Sequence, residues 1–267
     1  MTTTLPAYFL SHGGGPWPWL MARDGSPFDA LDASLKDLRR ELGDRPRAVL
    51  LVSAHWEEAV FSFSGAARPP MLYDYYNFPP EMYAIRYDAP GEPALAARAA
   101  ALLEAGGMAA RIDPARGFDH GTFSLMQAIW PEADMPVVQM SIRTDYDPAA
   151  HIAAGHLIAS LRDDGVAIIG SGLSYHNLRN MGPQAAGPSR AFDHWLQTSL
   201  LGKPAAMRET DLVHWTAAPA ARLAHPREDH LLPLMVAAGA AREDPATLAY
   251  HEDAFLGSMA VSSFRFG

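Results

Sequence analysis

The sequence predicts a single α/β domain, in which a central, mostly parallel mixed sheet is flanked by helices. Short runs of aliphatic and β-branched residues without helical spacing alternate with Ala-rich amphipathic stretches, which is typical of this class. No run of linker composition divides the 267 residues, a length that one large domain can accommodate. Because ligands of such sheets bind beyond the carboxyl ends of the strands, we expect the active site there.

Five segments have the composition of short buried strands. They are residues 7–10, 48–53, 136–142, 166–170 and 259–266. Four stretches have the composition of helices, and Pro or Asp at the start and Gly beyond the end delimit the first two. They are residues 93–105, 148–162, 190–200 and 230–238. Residues 68–90 are dense in Pro, Tyr, Phe and Asp without a clean period, which predicts a long ordered loop of the kind that is often functional.

Charge and composition exclude several classes of protein. The formal net charge of −9 repels phosphate backbones and anionic membranes, so nucleic acid is not expected as a partner. The chain has no Cys, so His, Asp or Glu must hold any metal ion. The first residues lack a signal sequence, and no apolar run is long enough for a membrane span. We therefore expect a cytoplasmic protein without membrane contact.

Histidines stand at the ends of predicted elements. His12, His55 and His176 follow strands, and His120 lies in a turn that introduces a helix. Two more flank the start of the last predicted helix, at His225 and His230. Each alone is most simply a loop residue with its hydrogen bonds satisfied. Jointly they predict a catalytic metal site, because three imidazole ligands with open positions are the usual arrangement for a metal that also binds substrate.

The segment His12-Gly13-Gly14-Gly15 matches the oxyanion loop of lipases and esterases, whose fold is also α/β. Such an enzyme needs a G-x-S-x-G nucleophile after a strand. The nearest candidate, residues 170–174, does not have this spacing. The glycines also fail the dinucleotide-binding and P-loop patterns. The sequence therefore supports neither a serine hydrolase nor nucleotide binding.

Seven motifs in order resemble the class III extradiol ring-cleavage dioxygenases, in the branch that includes DOPA 4,5-dioxygenases. They are FLSHGGGPW, LLVSAHWE, DYYNFPPEMYAIRYDAPG, GFDHGTF, VVQMSI, GSGLSYHNLR and HPREDHLLPL. The resemblance extends from about Leu10 to about Ala240. It implies one α/β domain with a mononuclear non-haem Fe(II) site. It also implies cleavage of a catechol ring by O₂ to a product of the muconic semialdehyde type.

The resemblance also assigns roles to the histidines. It makes His12, His55 and His230 the metal ligands, His176 the acid/base residue, and His120 a residue beside the substrate oxygens. His176 as a fourth ligand remains an alternative, and zinc is an alternative to iron. The protocatechuate-cleaving branch has a glutamate as third ligand, so this sequence departs from the arrangement of two His and one carboxylate.

Two nearby carboxylates, Glu57 and Asp229, could supply the charge that this departure removes. Six further residues are candidates for substrate binding: Tyr73, Tyr75, Tyr76, Arg143, Arg179 and His225. The tyrosines suit a planar ring, although they could instead be packed on the core. The two arginines could bind a substrate carboxylate, with surface ion pairs as the alternative.

Two other functions remain open at this stage. A zinc-dependent hydrolase could use the same histidines to activate water, and a binding or scaffold member of the superfamily would lack catalysis. The second would require loss of the base or of a ligand, and the sequence shows no such loss. The expected partners are a catechol and O₂, and a homo-oligomer is left open.

Overall fold

A computed structural model describes residues 4–20 and 25–267. In these ranges the strands are β1 (Ala7–Ser11), β2 (Ala48–Glu58), β3 (Phe61–Ser64), β4 (Ala110–Asp113), β5 (Val137–Arg143), β6 (Val166–Gly172), β7 (Ala246–Phe255) and β8 (Met259–Phe266). They form one eight-stranded sheet in the order β4-β3-β5-β2-β6-β1-β8-β7.

Helices connect most of the strands. In the described ranges they are α1 (Trp17–Leu20), α2 (Asp29–Leu42), α3 (Pro93–Ala105), α4 (His120–Ile129), α5 (Pro148–Ile158), α6 (Ala186–Leu200), α7 (Ala205–Val213), α8 (Ala221–Ala224) and α9 (Leu232–Ala240). None of the described helices is long and apolar enough to cross a bilayer.

The centre of the sheet is parallel. β5, β2, β6 and β1 pair in parallel, as do β3 and β4, whereas β3 pairs with β5, β1 with β8 and β8 with β7 in antiparallel fashion. The carboxyl ends of the four central strands therefore lie along one edge. This confirms the predicted single α/β domain with a mostly parallel mixed sheet.

Helices cover both faces of the sheet, as β6 illustrates. A Cβ added to Gly170 would lie 2.3 Å from the carbonyl oxygen of Pro233 in α9. The next residue, Ser171, donates its hydroxyl to the carbonyl of Gly121 in α4, at 2.6 Å. Because successive residues of a strand face opposite sides, α4 and α9 cover opposite faces. Core side chains are thus buried on both sides of the central strands.

All five predicted strands are present, and β2 continues five residues beyond its predicted end. The helix predicted over 230–238 begins at Leu232, so His230 lies just before it. The helix predicted over 148–162 changes at residue 159 from α5 to a 3₁₀ turn, Ala159–Asp164. Residues 68–90 form the predicted loop apart from a 3₁₀ turn, Pro80–Tyr83, and a one-residue bridge at Met71.

Candidate active site

The first histidine lies where β1 ends. The backbone N–H of His12 donates to the carbonyl of Gly172, which extends the pairing of β1 with β6 by one residue. The ring is 4% exposed, and its Nδ1 lies 2.9 Å from the hydroxyl of Ser171. Because that hydroxyl already donates to Gly121, it accepts from Nδ1–H, which leaves the Nε2 lone pair of His12 free.

His55 occupies an irregular part of β2. The pairing with β5 shifts register between Val52 and Glu57, so residues 53–56 bulge out of the ladder. Bulges next to active sites commonly re-aim a side chain, and here the ring of His55 lies 5.1 Å from that of His12 between ring centroids. The uniform apolar run of β2 predicted the strand but contained no signal for the bulge.

His230 is held against β6 by a close backbone contact. Its carbonyl accepts from the N–H of Leu173 at 3.1 Å, and a Cβ at Gly172 would lie 2.2 Å from the same carbonyl oxygen. Only glycine at position 172 permits this approach. The ring is 3% exposed, and its Nδ1 lies 2.8 Å from Asp229.

The N-terminus of α4 supplies His120. The side chain of Asp119 caps the helix by accepting from the N–H of Thr122 at 3.2 Å. Asp74, in the loop over 68–90, accepts from both the backbone N–H and the Nδ1 of His120, each at 2.9 Å. Its other oxygen lies 3.4 Å from Nδ1 of His55, so one carboxylate contacts both rings.

The ring of His176 is stacked on that of His230. Their centroids are 3.4 Å apart and their planes differ by 17°. Nδ1 of His176 lies 3.9 Å from Asp229, the residue that also binds His230. Burial lowers the pKa of His176 below its ordinary value, and the opposing effect of Asp229 is smaller. A neutral ring at pH 7 follows.

Three imidazole nitrogens converge at metal-ligand spacing. The Nε2 atom of His55 lies 3.1 Å from that of His12 and 3.2 Å from that of His230. Nitrogens about 2.1 Å from one ion at tetrahedral or octahedral angles lie about 3.0–3.4 Å apart. The Nδ1 atoms of all three face oxygen acceptors, so the Nε2 atoms present only lone pairs to one another. These donors fit a divalent cation between them.

Burial is the main cause that lowers the pKa of His12, His55 and His230 well below the ordinary value of a histidine. Neighbouring imidazoles lower each pKa further. The three rings are therefore neutral, the state in which imidazole ligates a metal. Two other groupings have ligand atoms within 4.8 Å of one another: His12 with His55 and His120, and His176 with Asp229 and His230. The Nε2 contacts of 3.1 and 3.2 Å favour His12, His55 and His230 as the ligand set.

A cavity of about 800 Å³ opens above these rings. All five histidines of the cluster line it, together with Asp74 and Asp229. Tyr75, Tyr76 and Arg179 of the expected substrate-binding residues also line it. Tyr76 is 79% exposed at the mouth, whereas Tyr75 is buried and donates its hydroxyl to the carbonyl of Met82 at 2.5 Å.

Three residues expected to bind substrate, Tyr73, Arg143 and His225, are not among the residues that line this cavity. Tyr73 donates its hydroxyl to the carbonyl of Ile85 at 2.7 Å. Arg143 pairs with Asp145, and its guanidinium lies 5.7 Å from the ring centroid of Phe61. His225 is fully buried between elements, with Nε2 2.9 Å from the carbonyl of Ser174. Each of the three therefore has a local hydrogen bond or ion pair, and Nδ1 of His225 and Nε of Arg143 are buried without a partner.

The two candidate carboxylates have different contacts. Asp229 contacts Nδ1 of His230 and thus orients a ligand, while Glu57 accepts from Arg227 and from the hydroxyl of Tyr146. Asp74 and Ser171 were missed by the sequence reasoning. A signal existed only for Asp74, which lies in the loop that composition marked as functional.

Comparison with known proteins agrees with this geometry. Residues 6–264 match the family described as the catalytic LigB subunit of aromatic ring-opening dioxygenase. Dioxygenase tasH of Hapsidospora irregularis is 39% identical, with 94% of this chain and 82% of that protein covered. The 4,5-DOPA dioxygenase extradiol of Beta vulgaris is 35% identical, with coverages of 97% and 95%. Its namesake in Escherichia coli strain K12 is 32% identical, with coverages of 100% and 96%.

A solved structure supports the same assignment. The crystal structure of an uncharacterized protein from Escherichia coli K12 has a TM-score of 0.76 and 30% sequence identity, and it covers 98% of this chain and 100% of its own. The fold and the imidazole cluster thus define a metal-dependent ring-opening dioxygenase. The chain belongs to the LigB family of aromatic ring-opening dioxygenases. Its activity is extradiol ring cleavage, with a small-molecule substrate and O₂.

Proposed function

We propose that this dioxygenase uses Fe(II), held by His12, His55 and His230, to open the ring of a DOPA-like catechol. The observation that carries the proposal is the convergence of the three Nε2 atoms. That of His55 lies 3.1 Å from that of His12 and 3.2 Å from that of His230. A bound Fe(II) ion would acidify a coordinated hydroxyl and supply the redox chemistry that O₂ requires. Relatives named 4,5-DOPA dioxygenase extradiol support the choice of substrate.

His176 is the proposed proton acceptor for the catechol. Burial lowers its pKa, so the ring is neutral at pH 7 and can take a proton from a substrate hydroxyl. The carboxylate of Asp229, 3.9 Å from Nδ1, favours the tautomer protonated on Nδ1 and leaves Nε2 as the acceptor. The same ring then returns the proton as the product forms.

His120 is proposed to contact the substrate oxygens. Asp74 accepts from its Nδ1 at 2.9 Å, which fixes the tautomer and leaves Nε2 directed away from that carboxylate. Its ring centroid lies 3.9 Å from that of His55, so the side chain is next to a proposed ligand. A hydrogen bond from this position would orient the catechol before cleavage.

Arg179 is proposed to bind a carboxylate on the side chain of the catechol. It lines the cavity, and its guanidinium has no ion-pair or hydrogen-bond partner among the described residues. Arg227, the other arginine of the lining, is paired with Glu57. Tyr76 and Tyr75 provide aromatic surface between the histidines and the mouth.

Anaerobic reconstitution with Fe(II), followed by O₂ and L-DOPA, tests the proposal. We expect one O₂ consumed per ring and a yellow semialdehyde. His12→Ala should lose bound metal, whereas His176→Ala should keep metal and lose turnover by at least about 100-fold. His194→Ala, at an exposed position on α6, is the control. Hydrolytic activity with zinc and no O₂ uptake with iron would support the hydrolase instead.

A further inference from the structure

Part of the cavity has no role in holding the metal or the catechol hydroxyls. Six side chains form it, and we call it the aromatic pocket: Phe28, Tyr75, Phe78, Met181, Phe255 and Leu256. They come from separate segments of the chain, so the fold assembles this surface just as it assembles the histidines. The pocket is continuous with the cluster, because the same cavity contains both.

The rings of the aromatic pocket are arranged to accept another ring. Phe28 and Phe255 lie 5.7 Å apart at 66°, and Tyr75 and Phe78 lie 5.2 Å apart at 76°, both edge to face. Such pairs present faces and edges to an inserted aromatic group, the two geometries that aromatic contacts prefer. Of the charged groups in the lining, Asp74 and Asp229 bind histidines and Arg227 pairs with Glu57, which leaves Arg179 as the one whose side chain has no charged or hydrogen-bonded partner among the described residues.

The volume of the cavity leaves room for a substrate larger than a single ring. Cavities of about 300–1,000 Å³ typically enclose drug-sized ligands. This cavity has about 800 Å³, whereas a catechol chelated at the histidines would occupy only its inner end. Apolar surface left uncovered beside a reaction centre gains binding energy only when a substituent covers it.

We propose that the aromatic pocket binds an aromatic substituent of the catechol, so that the preferred substrates are aryl-substituted catechols. This inference rests on the ring cleavage of the proposed function, and it gives the preferred catechol an aryl substituent in the place of the side chain of DOPA. An aryl group at the ring position opposite the hydroxyls extends from the metal side towards Phe28 and Phe78. Its burial favours aryl-substituted over alkyl-substituted catechols.

Gly14 offers a steric test of the pocket. It lines the cavity, its φ is not in the left-handed region, and an added Cβ would meet no atom within 4 Å. Its neighbours are closed in, since a Cβ on Gly13 would lie 2.8 Å from Phe28 and one on Gly15 2.7 Å from Phe78. A side chain at position 14 therefore has room at the cavity wall, between two positions that are packed against these phenylalanines.

The Fe(II)-loaded enzyme is assayed with 4-phenylcatechol and 4-methylcatechol. We expect kcat/KM to be at least about tenfold higher for the phenyl compound, the usual effect of filling a hydrophobic pocket. Gly14→Leu should lower this ratio about tenfold or more. Gly187→Leu is the matched control, because a Cβ there also meets no atom within 4 Å but the residue is outside the cavity. It should leave the ratio unchanged.

Binding of two monophenols gives a readout without turnover. Calorimetric titration of the purified protein should show 4-hydroxybiphenyl binding at least about tenfold more tightly than phenol. Equal affinities, or equal kcat/KM for the two catechols, would overturn the inference even if Gly14→Leu failed to fold. Failure to cleave L-DOPA as well as both of these catechols would contradict the proposed function, whereas cleavage of both catechols without preference would contradict only the aromatic pocket.

Discussion

At the scale of single residues, two carboxylates organise the imidazoles in pairs. Asp74 contacts the Nδ1 atoms of His55 and His120, and Asp229 contacts those of His230 and His176. Each carboxylate thus joins one proposed ligand to one proposed proton-transfer residue. A contact at Nδ1 fixes the tautomer and makes Nε2 a better donor to a metal or acceptor of a proton. The two carboxylates thus account for four of the five rings, and the hydroxyl of Ser171 accepts from Nδ1 of the fifth, His12.

A histidine outside the active site makes stability depend on pH. His151 accepts from the N–H of Arg143 at 3.1 Å through Nε2, and its Nδ1 donates to the carbonyl of Asp147 at 2.7 Å. Acceptance at Nε2 requires the neutral ring, because both nitrogens of a protonated ring are donors. Burial, the largest cause, lowers the pKa of His151 to about 4, although the carbonyl of Asp147 and the carboxylate of Asp145 act in the opposite direction.

The sign of this effect follows from the lowered pKa. Above about pH 6.5 the ring is neutral in both states, so it contributes no pH dependence. Between pH 6.5 and pH 4 only the unfolded chain gains the proton. As the pH falls through this range, the contribution of His151 to the free energy of unfolding therefore decreases by about 3 kcal/mol. Urea titrations at several pH values should show a smaller fall for His151→Gln. An unchanged slope would show that His151 does not contribute.

At the scale of elements, the apposition of β6 and the segment before α9 sets the position of His230. Gly172→Ala would place a methyl group 2.2 Å from the carbonyl oxygen of His230, against backbone that cannot rotate away. We expect metal affinity to fall about tenfold or more, because the ligand moves, and stability to fall by about 1–3 kcal/mol.

Metal titration and thermal unfolding of this variant measure both effects. Gly187→Ala, on α6, is the control and should change neither, since its added Cβ has open space. If Gly172→Ala lost stability but bound metal as tightly as the parent, the close approach at β6 would be a packing feature without influence on the site.

The strands that the sequence predicted are those whose composition is uniform. β1, β2, β5 and β6 are buried on both faces, so their apolar runs are continuous, and β8 is nearly so. β4 and β7 are edge strands with exposed residues and lack this pattern. Helix α2 was missed although its buried leucines, Leu31, Leu35, Leu38 and Leu42, have helical spacing. That signal was present in the sequence.

Side-chain partners were less predictable than elements. The position of histidines at strand ends predicted their clustering, because the carboxyl ends of parallel strands lie along one edge of the sheet. His225 has a similar position in the sequence, yet it is buried between Phe192 and Trp215, with ring centroids 5.2 and 6.0 Å away. Which face a residue takes after a strand ends depends on loop geometry, and composition does not encode it. Composition likewise did not predict that Arg143 forms an ion pair with the neighbouring Asp145.

At the scale of the whole molecule, the proposed ligands join distant parts of the chain. His12 follows β1, His55 lies in β2 and His230 precedes α9, so a metal bound between them connects both ends of the sequence through the centre of the sheet. Without a cation, the lone pairs of three Nε2 atoms face one another in a buried site. This is unfavourable because none of the three atoms can donate a hydrogen bond to another. The folded state therefore binds metal far better than the unfolded chain.

Thermal unfolding with and without metal measures this coupling. A ligand that binds only the folded state at about 100 times its Kd stabilises by about 2.7 kcal/mol, or about 5 °C for a chain of this size. We expect anaerobic Fe(II) to raise the Tm of the parent protein by about that amount and to leave the Tm of His55→Ala unchanged. His194 is exposed, so His194→Ala should show the full increase in Tm. An increment that survived in His55→Ala would place the metal elsewhere. Because the increment depends on all three ligands at once, it tests the assembly of the site by the fold rather than any single contact.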